Sequence, residues 1–318
     1  MSKILITGGA GFIGAHVAKA LMDKGEQVVL LDDMNGFLYP AKLKEDRITH
    51  LFTEDKRPRL IVGNILDDGI LRTVFEEEKF DKVLHFAALA NPGASIGVEN
   101  EYAAVNIMGT INVLKMCRDF DITQLVFAGS SSVYNDEQTP FVEANYPLNP
   151  RSPYGASKAA AELYLQMWNS LYGLPVTVLR FFSVYGPWGR PDMAPMIFAR
   201  QILQEATLQV TRDRQRDFTY IDDVVQGILS AVEKKLDFEI INLGRGEPQE
   251  LTEFIAAIEA VAGKKVNIEF RDAPPGEMKV TYANIDKAKQ LLGYQPKVSI
   301  TEGTQKLIEW VQEYGLKQ

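Results

Sequence analysis

The chain has 318 residues, 46% of them hydrophobic and 24% charged, with a net charge of −8 at pH 7; that suffices for one large domain or two interlocked ones, and the acidic balance excludes a general affinity for nucleic acid or anionic membrane. A single cysteine, Cys117, excludes an internal disulfide, and three dispersed histidines (His16, His50, His85) form no metal-ligand pattern. No apolar run reaches the roughly 20 residues needed to span a bilayer and the first residues lack a signal-peptide pattern, so a cytoplasmic protein without a metal is expected.

Six short β-branched runs bounded by turn residues read as strands: 3–7 (KILIT), 27–32, 59–63, 82–87, 124–129 and 175–181. Amphipathic stretches between them, such as 12–25 and 101–120, read as helices. Strands that are apolar on both faces, with helices between, predict an α/β fold: a doubly wound parallel sheet of the Rossmann type. Beyond residue 181 the alternation loosens. Helices are expected at 193–204, 222–234, 251–262 and 301–314, separated by turns such as GRGEP and APPGE. The expected division is therefore a first domain over 1–181 and a smaller substrate-binding lobe over 182–318, with segments within 215–245 as candidates for packing back onto the first.

The segment ITGGAGFIG sets Gly8, Gly11 and Gly14 between the first strand and the first helix. The first glycine permits a tight turn, the second lets backbone approach a pyrophosphate, and the third lets helix and strand pack closely. Asp32 ends the second strand 18 positions after Gly14. A carboxylate there accepts hydrogen bonds from ribose hydroxyls and repels a 2′-phosphate, which favours NAD over NADP. Asp33 and Asn35 either assist or cap the loop that follows. Asn64 and Ile65, in GNIL after the third strand, fall where the adenine edge is expected.

RSPYGASK places Ser152 as a helix cap, Pro153 at the first helical position, and Tyr154 and Lys158 one turn apart on one face. The fifth strand ends in FAGSSSVY, bringing Ser130, Ser131 and Ser132 to the carboxyl edge of the sheet, where doubly wound folds bind ligands. A phenol is a poor base near neutrality, but an adjacent ammonium and a positive nicotinamide would both lower its pKa.

With these motifs in this order, the chain resembles, nearly end to end, the extended short-chain dehydrogenase/reductase family of nucleotide-sugar epimerases and dehydratases. The resemblance extends through HFAALA (85–90), Asn106 in VNIMGT, LRFFSVYGPWGRPDMA (179–194), RDFTYIDDV (216–224) and YANIDKAKQLLGYQP (282–296). It implies Tyr154 as catalytic base, Lys158 as its partner and Ser130 as hydroxyl relay. It implies NAD held by the glycine turn with Phe12 and Ile13, by Phe86, Ala87, Ala88 and Asn106, and by Tyr154 and Lys158. Phe181 and Phe182 either flank the nicotinamide and sugar or pack as core. Arg216 is implied to bind the diphosphate of a UDP-sugar and Thr281 to line the sugar pocket, while Arg212 and Arg214 read as a solvated turn. Helices 101–120 and 153–172 are similar to the pair that forms a homodimer interface in the family.

Dehydratases of this family carry a Thr-Asp-Glu set at the serine strand end, and here Ser131 and Ser132 replace both carboxylates; the decarboxylases' glutamate is absent too. A 4-epimerase, which needs one base and one reversible hydride acceptor, is what remains. The stretch FFSVYGPWGRPDM is most similar to UDP-glucuronate 4-epimerases, which implies conversion of UDP-glucuronate to UDP-galacturonate. Arg190, with Ser131, Ser132 and Ser183, would bind the sugar carboxylate; alternatively Arg190 binds a phosphate or packs on Trp188. Two departures are visible: LANPGAS (89–95) lacks an arginine common in those epimerases, and Asn135 stands where glycine is usual. Epimerisation of UDP-glucose or UDP-N-acetylglucosamine, dehydration or decarboxylation, and a nonenzymatic NAD sensor remain the alternatives.

Overall fold

The computed structural model describes every residue except 136–137, 145–146, 275 and 318. In chain order the first half comprises β1 (Lys3–Thr7), α1 (Phe12–Asp23), β2 (Gln27–Asp32), α2 (Lys42–Leu51), β3 (Arg59–Val62), α3 (Asp68–Glu78), β4 (Lys82–His85), α4 (Glu99–Ala103), a π turn (Ala104–Gly109), α5 (Thr110–Asp119), β5 (Gln124–Ser130), α6 (Pro153–Tyr172) and β6 (Val176–Phe181). The second half comprises β7 (Ser183–Tyr185), α7 (Ala194–Leu203), β8 (Leu208–Thr211), β9 (Gln215–Arg216), β10 (Phe218–Tyr220), α8 (Ile221–Glu233), β11 (Phe238–Leu243), β12 (Gln249–Glu250), α9 (Leu251–Ala262), β13 (Ile268–Arg271), β14 (Val280–Thr281), α10 (Asp286–Leu292) and α11 (Ile300–Glu313).

Seven parallel strands form one sheet in the order β11-β6-β5-β4-β1-β2-β3. Successive side chains point to opposite faces, so each strand feeds two cores. Ile4, Ile6 and Leu30 belong to one buried cluster; Leu5, Val29 and Leu31 belong to the other. Helices α1, α2 and α8 cover the first face, and α3, α5 and α6 the second. This is the doubly wound fold. Strand order reverses between β1 and β4, and a crevice opens at the carboxyl ends there.

Two elements depart from or add to the six strands and the long helix expected over 1–181. FEIINL forms β11 and extends the sheet beside β6, with Ile240 opposite Val178 and Ile241 opposite Leu179. The expected 101–120 helix is instead α4, a π turn and α5 in succession. Within that turn Asn106 O accepts the Thr110 hydroxyl at 2.7 Å. Gly109 lets the turn close on the loop after β3, since a Cβ there would lie 2.5 Å from Ile65 Cδ1.

Short ladders β12-β9-β14, β13-β8 and β10-β7 and the helices α7, α9 and α11 make up the remaining body. Its centre is aromatic: Phe218 stacks on Phe254 at 3.9 Å and Tyr185 meets Phe254 edge-on at 5.3 Å. Asp217, fully buried, knots three segments together by accepting Arg245 N (2.6 Å), Gly246 N (2.9 Å), Ala283 N (3.1 Å) and the Thr219 hydroxyl (2.9 Å). Burial pushes its pKa up and these donors oppose that.

His85 is enclosed beneath the crevice, bonded to Thr7 Oγ1 (2.6 Å) and Thr110 Oγ1 (3.0 Å), and His16 bonds Phe12 O (2.8 Å). Burial lowers His16 to about 4 and His85 to about 3, the latter helped by the charge of Lys158. The unfolded chain therefore takes up protons below pH 6.5 that the folded protein refuses. Stability is expected to fall with decreasing pH through that window, by up to about 1.4 kcal/mol per pH unit for each ring. His85→Gln should remove one ring's share of the slope in urea titrations; an unchanged slope would show that His85 does not titrate this way.

Candidate active site

The crevice is a cleft of about 860 Å³ lined from Gly8 to Thr281. At its floor Gly8 adopts φ +68, donates its N–H to Leu31 O at 2.8 Å and accepts Gly11 N at 3.0 Å. A Cβ on Gly8 would lie 2.6 Å from Ala87 N, and one on Gly14 would lie 2.4 Å from Gly8 O, so neither position tolerates a side chain. Helix α1 begins at Phe12 with Gly11 as cap, no side-chain cap bond and no acidic residue in its first turn. Gly11, Phe12 and Ile13 face the cleft, so the amino end of α1 offers donors and a favourable dipole to an anion. The cradle fits the pyrophosphate of a dinucleotide.

At one end lie Asp32, Asp33, Asn35, Asn64 and Ile65. Asp32 accepts Ala10 N at 3.1 Å, Met34 N at 3.0 Å and Lys44 Nζ at 2.9 Å. Asp33 accepts Asn35 N at 3.1 Å and Asn64 Nδ2 at 3.3 Å. Nothing in the sequence singles out Lys44. Its position in α2 looks like a solvated helix face, yet it is buried and lines the cleft. Arg47, one turn on, is also fully buried: it donates to Trp188 O (2.8 Å), Ala10 O (3.2 Å) and Tyr39 Oη (3.2 Å). It thus braces the glycine turn against the segment that carries Arg190.

At the centre, β5 delivers Ser130, Ser131 and Ser132 and α6 delivers Tyr154 and Lys158. Ser152 caps α6 by accepting Gly155 N at 3.1 Å, and Tyr154 N donates to Ser95 Oγ at 3.1 Å, so the helix start is held from two sides. Ser130 acts on the Tyr154 phenol, favouring its charged form. Burial holds that phenol above the ordinary tyrosine value, opposed by Ser130 and by the charge of Arg190. Among the protein groups, Ser130 and Arg190 are those that lower the phenol. Lys158 is 2% exposed and lowered to about 7 by burial, against the pull of Glu162. Glu162 follows one turn later and pairs with Arg180 of β6 through bonds of 3.1 and 2.6 Å, both side chains being buried.

Asn106, also buried, is set back from the cleft wall, with Nδ2 donating to Leu89 O and Ser157 Oγ (both 2.9 Å) and Oδ1 accepting Leu89 N (2.8 Å). It braces the loop after β4 against α6. Phe86, Ala87 and Ala88 of that loop do line the cleft.

At the far end are Phe181, Phe182, Ser183, Arg190, Arg216 and Thr281. The two phenylalanines are core and cleft wall at once, and Phe181 packs edge-on to Phe86 at 6.4 Å. Arg190 is held by Asp192, with Nε to Oδ1 at 3.0 Å and Nη2 to Oδ2 at 2.5 Å; Asn91 Nδ2 reaches the same carboxylate at 2.7 Å. Burial pushes Asp192 up, but Arg190 and Asn91 outweigh it and the carboxyl lies below its usual range. Arg216 pairs with Glu277 at 2.8 Å, and Thr211 donates to that carboxylate at 3.1 Å. Arg212 lies over the Phe270 ring at 4.2 Å on the turn after β8. Among the described residues there is no cluster that would hold a metal ion.

Fold and cleft together define a dinucleotide-binding α/β protein whose carboxyl-edge cleft unites a Ser/Tyr/Lys set with paired cations. Residues 4–244 match the model of the NAD dependent epimerase/dehydratase family, and the chain belongs to that family. It is 38% identical over 316 residues to the UDP-glucuronate 4-epimerase of Thermodesulfobacterium geofontis, covering 98% of this chain and 97% of that one. The crystal structure of UDP-glucuronic acid 4-epimerase from Bacillus cereus, in complex with UDP-glucuronic acid and NAD, superposes with a TM-score of 0.91 at 34% identity, covering 98% of this chain and 99% of that one. The UDP-glucose 4-epimerase of Thermotoga maritima, solved with UDP-glucose, superposes at 0.88 with 27% identity over 98% and 99% of the two chains.

Glu162 links Lys158 to Arg180, and Glu162→Gln would leave Arg180 buried without its counter-charge. A loss of about 3–5 kcal/mol in urea unfolding is expected. Lys158, deprived of the carboxylate that raises it, should titrate at lower pH by NMR; an upward or absent shift would refute the linkage.

Proposed function

We propose that this chain is an NAD-dependent UDP-sugar 4-epimerase, interconverting UDP-glucuronate and UDP-galacturonate. The observation that carries the reading is the composition of the cleft centre: Ser130 on the Tyr154 phenol, Arg190 close enough to bias that phenol, and only serines at 131 and 132. That set has one proton acceptor and one carboxylate binder, with neither acid nor base to spare for elimination. Two of the named relatives, from Thermodesulfobacterium geofontis and Bacillus cereus, are UDP-glucuronate 4-epimerases and support the same choice.

Gly8, Gly11 and the amino end of α1 would hold the pyrophosphate of NAD, Asp32 its adenosine ribose, and Lys158 with Tyr154 its nicotinamide end. Bound there, the cofactor supplies a reversible hydride acceptor for C4 of the sugar. Tyr154 takes the proton of the 4-hydroxyl, through or beside Ser130. Arg190, Ser131, Ser132 and Ser183 bind the sugar carboxylate, which keeps the C–COO bond near the plane of the 4-keto group and so guards against loss of CO2. The keto sugar then turns over in the cleft while Arg216 retains its diphosphate, and reduction on the other face inverts C4. Residues 1–181, joined by the returning segment 221–243, serve the dinucleotide, and the rest of 182–318 serves the UDP-sugar. Thr281, small and at the sugar end, leaves room for the carboxylate.

We place the enzyme in the cytosol as a homodimer. Its one cysteine is a buried free thiol, and among the described residues no helix is long and apolar enough to cross a membrane. Met108 on the π turn and Leu163 and Leu171 on α6 are 51%, 61% and 65% exposed, an apolar face suited to a second copy.

The purified protein, without added NAD, should convert UDP-glucuronate to UDP-galacturonate by NMR and leave UDP-glucose and UDP-N-acetylglucosamine largely unchanged. A 4-keto-6-deoxy product would indicate a dehydratase and a pentose a decarboxylase. Tyr154→Phe should lower kcat by about 10²–10⁴-fold with NAD retained; near-normal turnover would remove Tyr154 from the base role. Light scattering should give twice the monomer mass, and Leu163→Glu with Leu171→Glu should halve it.

A further inference from the structure

Arg190 does not stand alone in the cleft. Asp192 occupies the Nε–Nη2 edge of its guanidinium, and no described residue accepts from Nη1. Asp192 is in turn anchored by Asn91, which sits at φ +81, a backbone state that asparagine tolerates better than most residues. Asn91 is itself locked: its Oδ1 accepts Ala94 N at 3.1 Å, and the Tyr102 hydroxyl donates to Ala90 O at 2.6 Å and Asn91 O at 3.3 Å. Asn91 and Ala94 belong to LANPGAS, the loop that departs from the pattern of glucuronate epimerases.

A carboxylate arriving at the open Nη1 side meets a guanidinium whose charge is already shared. Asp192 and the incoming carboxylate repel each other across it, so the ground-state grip is weaker than that of an uncompensated arginine. The reaction needs such weakness. The 4-keto sugar has to leave one orientation and adopt the opposite one before C4 can be reduced, and a carboxylate held by a full, desolvated positive charge would resist the turn. Interactions that bind ground state and turning state alike bring no gain in rate.

Resting on the uronate reading above, we propose that Asp192 is a positioning residue that directs the free edge of Arg190 toward the sugar carboxylate and loosens the grip on it, so that the keto sugar can rotate. Its substitution therefore tightens binding and slows turnover together, the pattern left by removing ground-state destabilisation. A residue that only holds the fold would weaken binding instead.

The test compares wild type, Asp192→Asn and Asp192→Glu, each confirmed as folded with NAD bound, by calorimetric titration with UDP-glucuronate and UDP-glucose and by epimerisation rate. Asp192→Asn, close in shape but uncharged, should bind UDP-glucuronate about tenfold more tightly, turn it over about tenfold more slowly and bind UDP-glucose within about twofold of wild type. Asp192→Glu, which keeps the charge, should restore the wild-type affinity for UDP-glucuronate. Weaker or unchanged binding of UDP-glucuronate by Asp192→Asn, or a parallel change for both ligands, would overturn the proposal while leaving the uronate reading intact. A wild-type enzyme that epimerises UDP-glucose but not UDP-glucuronate would overturn that reading, and this proposal with it.

Discussion

Backbone meets backbone without intervening side chains where β1 and β4 end. Gly8 lies so close to the loop after β4 that a Cβ would fall 2.6 Å from Ala87 N and 2.8 Å from Phe86 C. Gly14 lets α1 descend on Gly8 in the same way. Because the strand order reverses at this point, the connections diverge to opposite faces of the sheet and leave a crevice above the contact. The amino end of α1, the serine-bearing end of β5 and the start of α6 all open on that crevice. If the glycines were larger, helix and loop would separate, and with them the dinucleotide cradle and the groups opposite it.

Charge within the cleft is organised in pairs. Lys44 holds Asp32, Arg190 holds Asp192, and Arg216 holds Glu277. Each pair combines a group suited to a ligand with a counter-charge supplied by the protein. Such pairing orients long side chains beforehand and lessens the cost of enclosing them. Tyr154 and Lys158 follow another logic: burial opposes the charged form of both, raising the phenol and lowering the ammonium. Their charge states thus respond to what else enters the cleft.

The motifs that could be read directly were those in which local geometry and chemistry coincide. The glycine turn, Ser152 and Pro153 at the start of α6, and the tyrosine–lysine spacing each depend on neighbours within a few positions, and the strands were visible as β-branched runs. Residues whose role depends on distant partners were not. Lys44 and Arg47 lie on a helix rich in charge, and nothing nearby distinguishes them from solvated residues; the chain has to fold before Asp32 and Trp188 reach them. FEIINL has the composition of a strand, but whether it joined the large sheet or the smaller body depended on where α8 returned the chain. Asn106 is visible in its motif, but its bonds to Leu89 and Ser157 are not, since those partners lie far from it in the chain.

The amino-acid order alone determined the alternation of strands and helices, the anion cradle and the pairing of a phenol with an ammonium on one helical face, since hydrophobic period, glycine spacing and helix pitch are all short-range properties. The tertiary structure decided which charges meet: that Arg190 comes near the Tyr154 phenol, that Asp192 shares the Arg190 fork, and that two helix-surface cations become interior struts. Electrostatic energies depend on distance and burial, and neither exists for residues far apart in the chain until packing has brought them together.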